Sequence, residues 1–357
     1  MPEKNTSKKK SRIIWILVFI AVNAAVIGYT AVKEFGQKPA EKLTVSFGWV
    51  NVLFLLGGIA CMLLTLAIET IKYLTMMKAL GVKVSFRAAF QTAALGKYYD
   101  NITPSGIGGQ PFQIYNMHKE GYSSGVSLAM PLTSFFTMQS GFVILAIASF
   151  IFKGGVVENT AMRVTAYIGT VCYMIAPAMI LLFTIYKNGA LKLLGALVSL
   201  GARLHILKKP EETLASVTGS LNDYREGIIL MSKKRGLIAG LIIMSVIYQA
   251  AMMSIPFFVL MAFNGSAPFT DTLAMTVFIY CMITIIPTPG NSGAAEGSFY
   301  MIFSQLDPSG LFWSMLVWRA ICYYAFILIG ILIYAYNALK GRKRRSSSAE
   351  GEISNGE

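Results

Sequence analysis

Apolar stretches of transmembrane length alternate along this chain with short polar segments rich in basic residues, glycine and proline. Residues 13–32, 49–71, 127–152, 164–186, 236–263 and 311–339 carry almost no charge. Each runs for about 20 residues or more, the length an α-helix needs to cross the hydrocarbon core of a bilayer. Two further apolar regions are broken. The first has halves at about 87–96 and 111–118 around TPSGIGGQPF at 103–112, and the second has halves at about 272–286 and 294–306 around IPTPGNSGAAEGSF at 286–299. The halves of the second rise only about 20 Å each as helices and those of the first less, all short of a core of about 30 Å. Proline and glycine interrupt the helix at each break, and the backbone groups so released cannot face lipid. Each region therefore predicts a re-entrant hairpin whose turn is buried in protein or lines a wet cavity.

Basic residues set the orientation. Lys8, Lys9, Lys10 and Arg12 precede the first run and Lys340, Arg342, Lys343, Arg344 and Arg345 follow the last, so both termini are expected in the cytoplasm and the crossings are even in number. The first run exceeds a signal-peptide core and no clear cleavage site follows, which predicts an uncleaved anchor. Lys72 and Lys78 return the second helix to the cytoplasmic side, with Glu69 one turn before Lys72 marking that edge. Residues 187–235 hold Lys187, Lys192, Arg203, Lys208, Lys209, Arg225 and Lys233 to Arg235, and Leu191, Leu194, Leu197 and Val198 fall at helical spacing. This is the pattern of a cytoplasmic segment with a surface-lying amphipathic helix. No Lys, Arg or His occurs between Arg235 and Arg319, so the second hairpin is expected to enter from outside, and the first, within 79–126, from inside.

The predicted fold is an all-α polytopic membrane protein with about six full transmembrane helices and two oppositely directed re-entrant helical hairpins, about 87–118 and 272–306, arranged like an inverted repeat. A single transmembrane domain spans 13–339, between a basic tail at 1–12 and a basic, then Ser/Glu-rich, disordered tail at 340–357. An offset of 186 residues lays Gly106 on Ser292, Gly108 on Ala294, Gly109 on Ala295 and Gln110 on Glu296, a weak internal match.

Composition excludes a soluble enzyme core: of 357 residues, 55% are hydrophobic and only 13% charged. The net charge of +14 lies in the tails and loops, which is an orientation signal and not a nucleic-acid footprint. Cys61, Cys172, Cys281 and Cys322 sit in apolar runs without metal-type spacing, and His118 and His205 are solitary, so neither a metal nor a cofactor is expected.

The candidate site is the pair of breaks. Both following half-helices are expected to aim N-terminal amides at the midplane, with Pro111 in the first turn of one and Ser292 and Gly293 near the start of the other, a ready site for phosphate. Charge at membrane depth is expensive, so Glu296 after the second break and Arg319 about two turns into the last helix are expected to face one cavity within pairing distance. Gly106, Gly108, Gly109, Gln110, Asn291 and Ser292 complete the expected cavity. Lys97, Tyr98, Tyr99, Asp100, Asn101 and Tyr323 are further candidates, the tyrosines as headgroup contacts or as interfacial packing.

Three segments carry a family resemblance: TPSGIGGQPFQIY in the first half, PTPGNSGAAEG in the second and WRAICYYAFILIG in the last helix. In order and spacing they resemble the transmembrane region of the lysylphosphatidylglycerol synthase family, also called the multiple peptide resistance factor family, over nearly the whole chain. The resemblance implies a bacterial flippase-like domain that moves an aminoacylated phospholipid to the outer leaflet of the cell membrane, a step tied to antibiotic resistance. It also implies cavity roles for Gly106, Gly108, Gly109, Gln110, Glu296 and Arg319. Relatives join this region to a soluble domain that transfers lysine from lysyl-tRNA, which is expected to be absent here. The chain departs from the pattern at Gln110 and Gln113, where relatives often carry an acid and then an arginine. The leading expectation is a lipid translocase for a phospholipid such as lysyl-phosphatidylglycerol. A phosphatidylglycerol lysyltransferase and a structural or regulatory membrane protein are the alternatives. The expected partner is membrane phospholipid and not nucleic acid, with a separate synthase and a homo-oligomer as open alternatives.

Overall fold

The structure is a computed structural model. It describes residues 48–186 and 234–354, except 104, 105, 107, 264, 267, 285, 287, 289 and 307–309, together with scattered single positions elsewhere; for 176, 179–181, 183–185, 235 and 341–354 it describes the backbone alone. The first predicted crossing, 13–32, and most of the amphipathic segment at 187–235 lie outside the described residues.

Helices account for the described fold, with no strand among the described residues. α1 runs Trp49–Leu80, α2 Phe86–Ile102, α3 Gly109–Lys119, α4 Ser124–Lys153 and α5 Thr160–Ile185. They are followed by α6 at Arg235–Ala262, α7 at Phe269–Ile283, α8 at Ala294–Phe303 and α9 at Leu311–Arg319. A π-helical turn, Ala320–Tyr324, joins α9 to α10, Ala325–Ser354. Among the described residues, four stretches are long and apolar enough to cross a membrane: Trp49–Leu80, Ser124–Lys153, Gly236–Ala262 and Leu311–Lys340. The chain is an all-α membrane protein.

Local sequence sets the ends. Ser85 caps α2 by accepting the Ala88 amide on its hydroxyl at 3.2 Å, and Asn159 caps α5 by accepting from Met162 at 3.1 Å. α1 stops at Gly81, whose φ of 68° lets its amide turn back onto the carbonyls of Met77 and Lys78. That stop comes well past residue 71, the end predicted from charge, because Tyr73, Met76 and Met77 continue the apolar face and are fully buried. At the other end of the chain, the backbone of α10 is helical to Ser354.

The broken regions are short helices, as the sequence predicts. α2 and α3 have 17 and 11 residues, and α7 and α8 have 15 and 10. At about 1.5 Å per residue none reaches across a core of about 30 Å. α2 packs on α3, and α7 on α8, each across a Gly-rich turn. The most extensive helix pair is α1 with α6, and α4 also packs on α6. Gly141 permits the latter approach: a side chain there would run into the backbone of Ser245. α2 lies against α10, and Asn101 on α2 donates to the Tyr323 carbonyl at 3.1 Å, tying the first break to the π-helical turn.

Burial is inverted relative to a water-soluble bundle. Leu53, Leu56, Leu63, Ile144, Ile243, Leu328 and Leu332 are exposed on the outside, where lipid is their solvent. Glu69, Lys72, Glu296 and Arg319 are buried inside.

Candidate functional site

The two breaks and the helices around them enclose a cavity of about 390 Å³, within the size range of small-molecule sites. Of the residues expected there, Gly106, Gln110, Asn291 and Arg319 line it, as do Lys97, Asp100, Asn101 and Tyr323. Gly108, Gly109, Ser292 and Glu296 are not on its wall, although each is adjacent to it in the chain or in space. Tyr98 and Tyr99 turn the other way. Tyr98 packs on Gly330 of α10, while Tyr99 stacks on Phe112 at 4.2 Å between ring centroids and shares a 2.8 Å hydrogen bond with the Tyr334 hydroxyl.

At the first break, Thr103 ends α2 by donating its hydroxyl to the Tyr99 carbonyl, and its oxygen also accepts the Gly108 amide at 2.9 Å. Asp100 accepts the Gly109 amide on Oδ1 at 2.9 Å. The α3 terminus therefore already holds a carboxylate of its own chain, which is favourable at the positive end of a helix dipole. Gly109 is required by this arrangement, since a side chain would occupy the place of the Asp100 carboxylate. α3 begins at Gly109, so Pro111, which lacks a donor, stands in its first turn.

The second break reaches the same result by another route. Gly290, Asn291 and Gly293 adopt left-handed backbone, with φ of 56°, 54° and 87°. Glu296, in the first turn of α8, accepts the Gly293 amide on Oε2 at 2.7 Å. At these turns the amides of Gly108, Gly109 and Gly293 donate to side chains of the protein itself, so these three are not available to an anion. Side-chain cations stand beside those carboxylates.

Arg319 is the principal one. Its Nε donates to Glu296 Oε1 at 2.6 Å and its Nη1 to the Gly290 carbonyl at 3.4 Å. Both residues of this pair are buried, Glu296 at 3% and Arg319 at 7% exposure. The guanidinium also lies 5.0 Å from the Tyr323 ring centroid and 5.4 Å from that of Trp318. Among the described residues Nη2, itself buried, has no hydrogen-bond partner. Glu296 thus stands behind Arg319 and fixes the guanidinium at the cavity wall.

A second ion pair stands at the cavity on α1, Glu69 with Lys72, which the sequence reading paired but assigned to the cytoplasmic edge. Lys72 donates to Glu69 Oε2 at 3.1 Å and to the Ser134 carbonyl at 3.4 Å, and the Ser134 hydroxyl donates to Glu69 Oε1 at 2.5 Å. Lys72 is fully buried and Glu69 lines the cavity, so the pair belongs to the interior of the bundle and not to its surface. The helix continues past it to Leu80. Lys97 lies on the same side, its Nζ 5.5 Å from the Tyr248 ring centroid. Tyr248, Gln249, Tyr173 and Tyr280 add polar wall from α5, α6 and α7, and no charge or motif distinguished them in the sequence.

Each wall is therefore built alike. A charged group faces the cavity and its counter-ion stands behind it, a carboxylate backed by Lys72 on one side and a guanidinium backed by Glu296 on the other. Such an interior can hold both signs of charge at once while the outside of the bundle stays apolar.

Comparison with known proteins agrees with this architecture. A UPF0104 membrane protein of Archaeoglobus fulgidus is 24% identical over 342 residues, covering 92% of this chain and 98% of the relative. The family model described as the lysylphosphatidylglycerol synthase TM region matches residues 13–330, which include all four candidate spans up to the last turns of α10, both breaks and every charged residue of the cavity, and the chain belongs to that family.

Proposed function

We propose that this chain is a lipid translocase of a cell membrane, which passes a phospholipid headgroup through the central cavity while the acyl chains stay in the bilayer. The observation that carries the reading is the buried Arg319, held by Glu296 at the wall of a polar cavity between two helix breaks, its Nη2 without a hydrogen-bond partner among the described residues. A buried cation at membrane depth is costly to keep and marks a substrate path. A phosphodiester accepts from a guanidinium edge in the geometry that Arg319 offers. The breaks supply irregular backbone where it meets a cavity and not lipid, as in transporters with a midplane site.

Glu296 acts in this reading as a positioning residue, and Gly106, Gln110, Asn291, Asn101 and Tyr323 form the polar path on either side of Arg319. Gly108, Gly109 and Ser292 shape the two turns. Orientation follows the basic residues, with both termini in the cytoplasm, six crossings and hairpins entering from opposite faces. The test is reconstitution in vesicles carrying a trace of acyl-labelled phospholipid. Quenching the label from outside should remove signal beyond the outer-leaflet half in protein-containing vesicles, and a plateau equal to that of protein-free vesicles refutes translocation.

The family's description supports a second reading, a phosphatidylglycerol lysyltransferase. It predicts that cells expressing only this chain accumulate lysyl-phosphatidylglycerol, whereas the translocase reading predicts no new lipid.

A further inference from the structure

The charged groups at and directly behind the cavity wall sum to zero. Glu69, Lys97, Asp100 and Arg319 face it, with Lys72 behind Glu69 and Glu296 behind Arg319, which makes three carboxylates and three cations. Resting on the translocase reading, we propose that the headgroup this cavity takes is zwitterionic, one phosphodiester and one primary ammonium, and not net anionic or net cationic.

The reason is the cost of uncompensated charge in a site set among apolar helices, where water solvates it less well than in bulk. A neutral lining accepts a neutral zwitterion with no residual charge, whereas an occupant of net charge leaves one unit unbalanced in a medium that solvates it poorly. The two signs also have separate places to go. Arg319, on the cavity wall, is the cation for a phosphodiester. Glu69 has both oxygens engaged, by Ser134 and Lys72, so it contributes negative potential and not a free acceptor. Asp100 holds the Gly109 amide on Oδ1, and among the described residues no ion pair joins it to Lys97. Its carboxylate is the acceptor for an ammonium, and Lys97, within electrostatic reach of both Glu69 and Asp100, balances that wall.

The test compares three lipids with the same labelled acyl chain in the same vesicles: phosphatidylethanolamine, which is zwitterionic; phosphatidylglycerol, which is net anionic; and lysyl-phosphatidylglycerol, which is net cationic. The wild-type chain should move the first at least about tenfold faster than either of the others, a preference worth one decade of transition-state or binding discrimination. Asp100→Asn gives the lining one net positive charge and should shift the preference toward phosphatidylglycerol by about tenfold; Lys97→Met gives it one net negative charge and should shift the preference toward lysyl-phosphatidylglycerol by a similar factor. Misfolding cannot produce shifts of opposite sign. Equal or faster movement of either charged lipid by the wild-type chain, or preferences unmoved in both variants, overturns the zwitterion assignment and leaves translocation standing. Failure to move any of the three overturns translocation, and the assignment with it.

Discussion

Glu296 touches Arg319 and the Gly293 amide with its two carboxylate oxygens, at 2.6 Å and 2.7 Å. One side chain therefore fixes both the start of α8 and the direction of the guanidinium, which couples the shape of the second break to the charge that faces the cavity. Removing either partner strands the other in the interior at about 3–5 kcal/mol. Arg319→Ala and Glu296→Gln should each lower thermal stability in detergent and abolish lipid translocation. The double variant Arg319→Met with Glu296→Met should recover most of the stability but none of the translocation, since well-packed apolar groups can replace a buried pair in the fold but not at the site. A double variant that translocates would show that the pair is only structural.

The Glu69 and Lys72 pair allows a parallel test on α1. Lys72→Met leaves Glu69 without its counter-ion, and the expected loss is again about 3–5 kcal/mol in an unfolding measurement. Adding Glu69→Gln should restore a large part of it, because a neutral amide can still hydrogen-bond Ser134. A surface pair would give less than about 1 kcal/mol and little coupling, and that result would return Lys72 to the cytoplasmic edge.

The glycines at the turns predict a different signature. Gly290 combines φ of 56° with a space that a side chain would share with the Tyr323 ring. Gly290→Ala should cost at least about 1 kcal/mol from backbone strain and displaced packing together. Because Gly290 also gives its carbonyl to Arg319, translocation should fall by more than stability alone explains. Gly121, with a φ of 92° and open space around it, is the control: Gly121→Ala should lose stability and keep full translocation per folded molecule.

The described helices were legible in the sequence to a large degree, and for a simple reason. Lipid demands long uncharged helices, so the ends of α4, α5 and α6 fall within a few residues of the apolar runs 127–152, 164–186 and 236–263. The Glu296 and Arg319 pair was legible because charge at that depth requires a partner. Three things were not. Helix α1 was ended at the first Lys, since a charge cluster near the end of an apolar run reads as an interface; only tertiary packing reveals that Glu69 and Lys72 are buried. The amides at the two breaks were read as open to a ligand, because sequence spacing does not say that Asp100 folds back onto Gly109. The π-helical turn at Ala320–Tyr324 left no mark in composition or period, although it places Cys322 and Tyr323 on the same cavity as Arg319.

Orientation makes a prediction of its own. The stretch 236–318 has no basic residue, so the second break should open to the outside. In a background with the four native cysteines replaced, Asn291→Cys should react with a membrane-impermeant thiol reagent added outside, and a reporter fused after residue 308 should also lie outside. Labelling at 291 from the cytoplasm alone would reverse the assignment.

Lipid scrambling by the purified chain tests the central claim most directly, with wild type, Arg319→Ala and Gly121→Ala reconstituted side by side at equal protein density. The cavity account predicts loss of the protected label in vesicles holding the wild-type and Gly121→Ala chains, and retention of about half of it, as in empty vesicles, with Arg319→Ala. Equal scrambling by all three chains would contradict it.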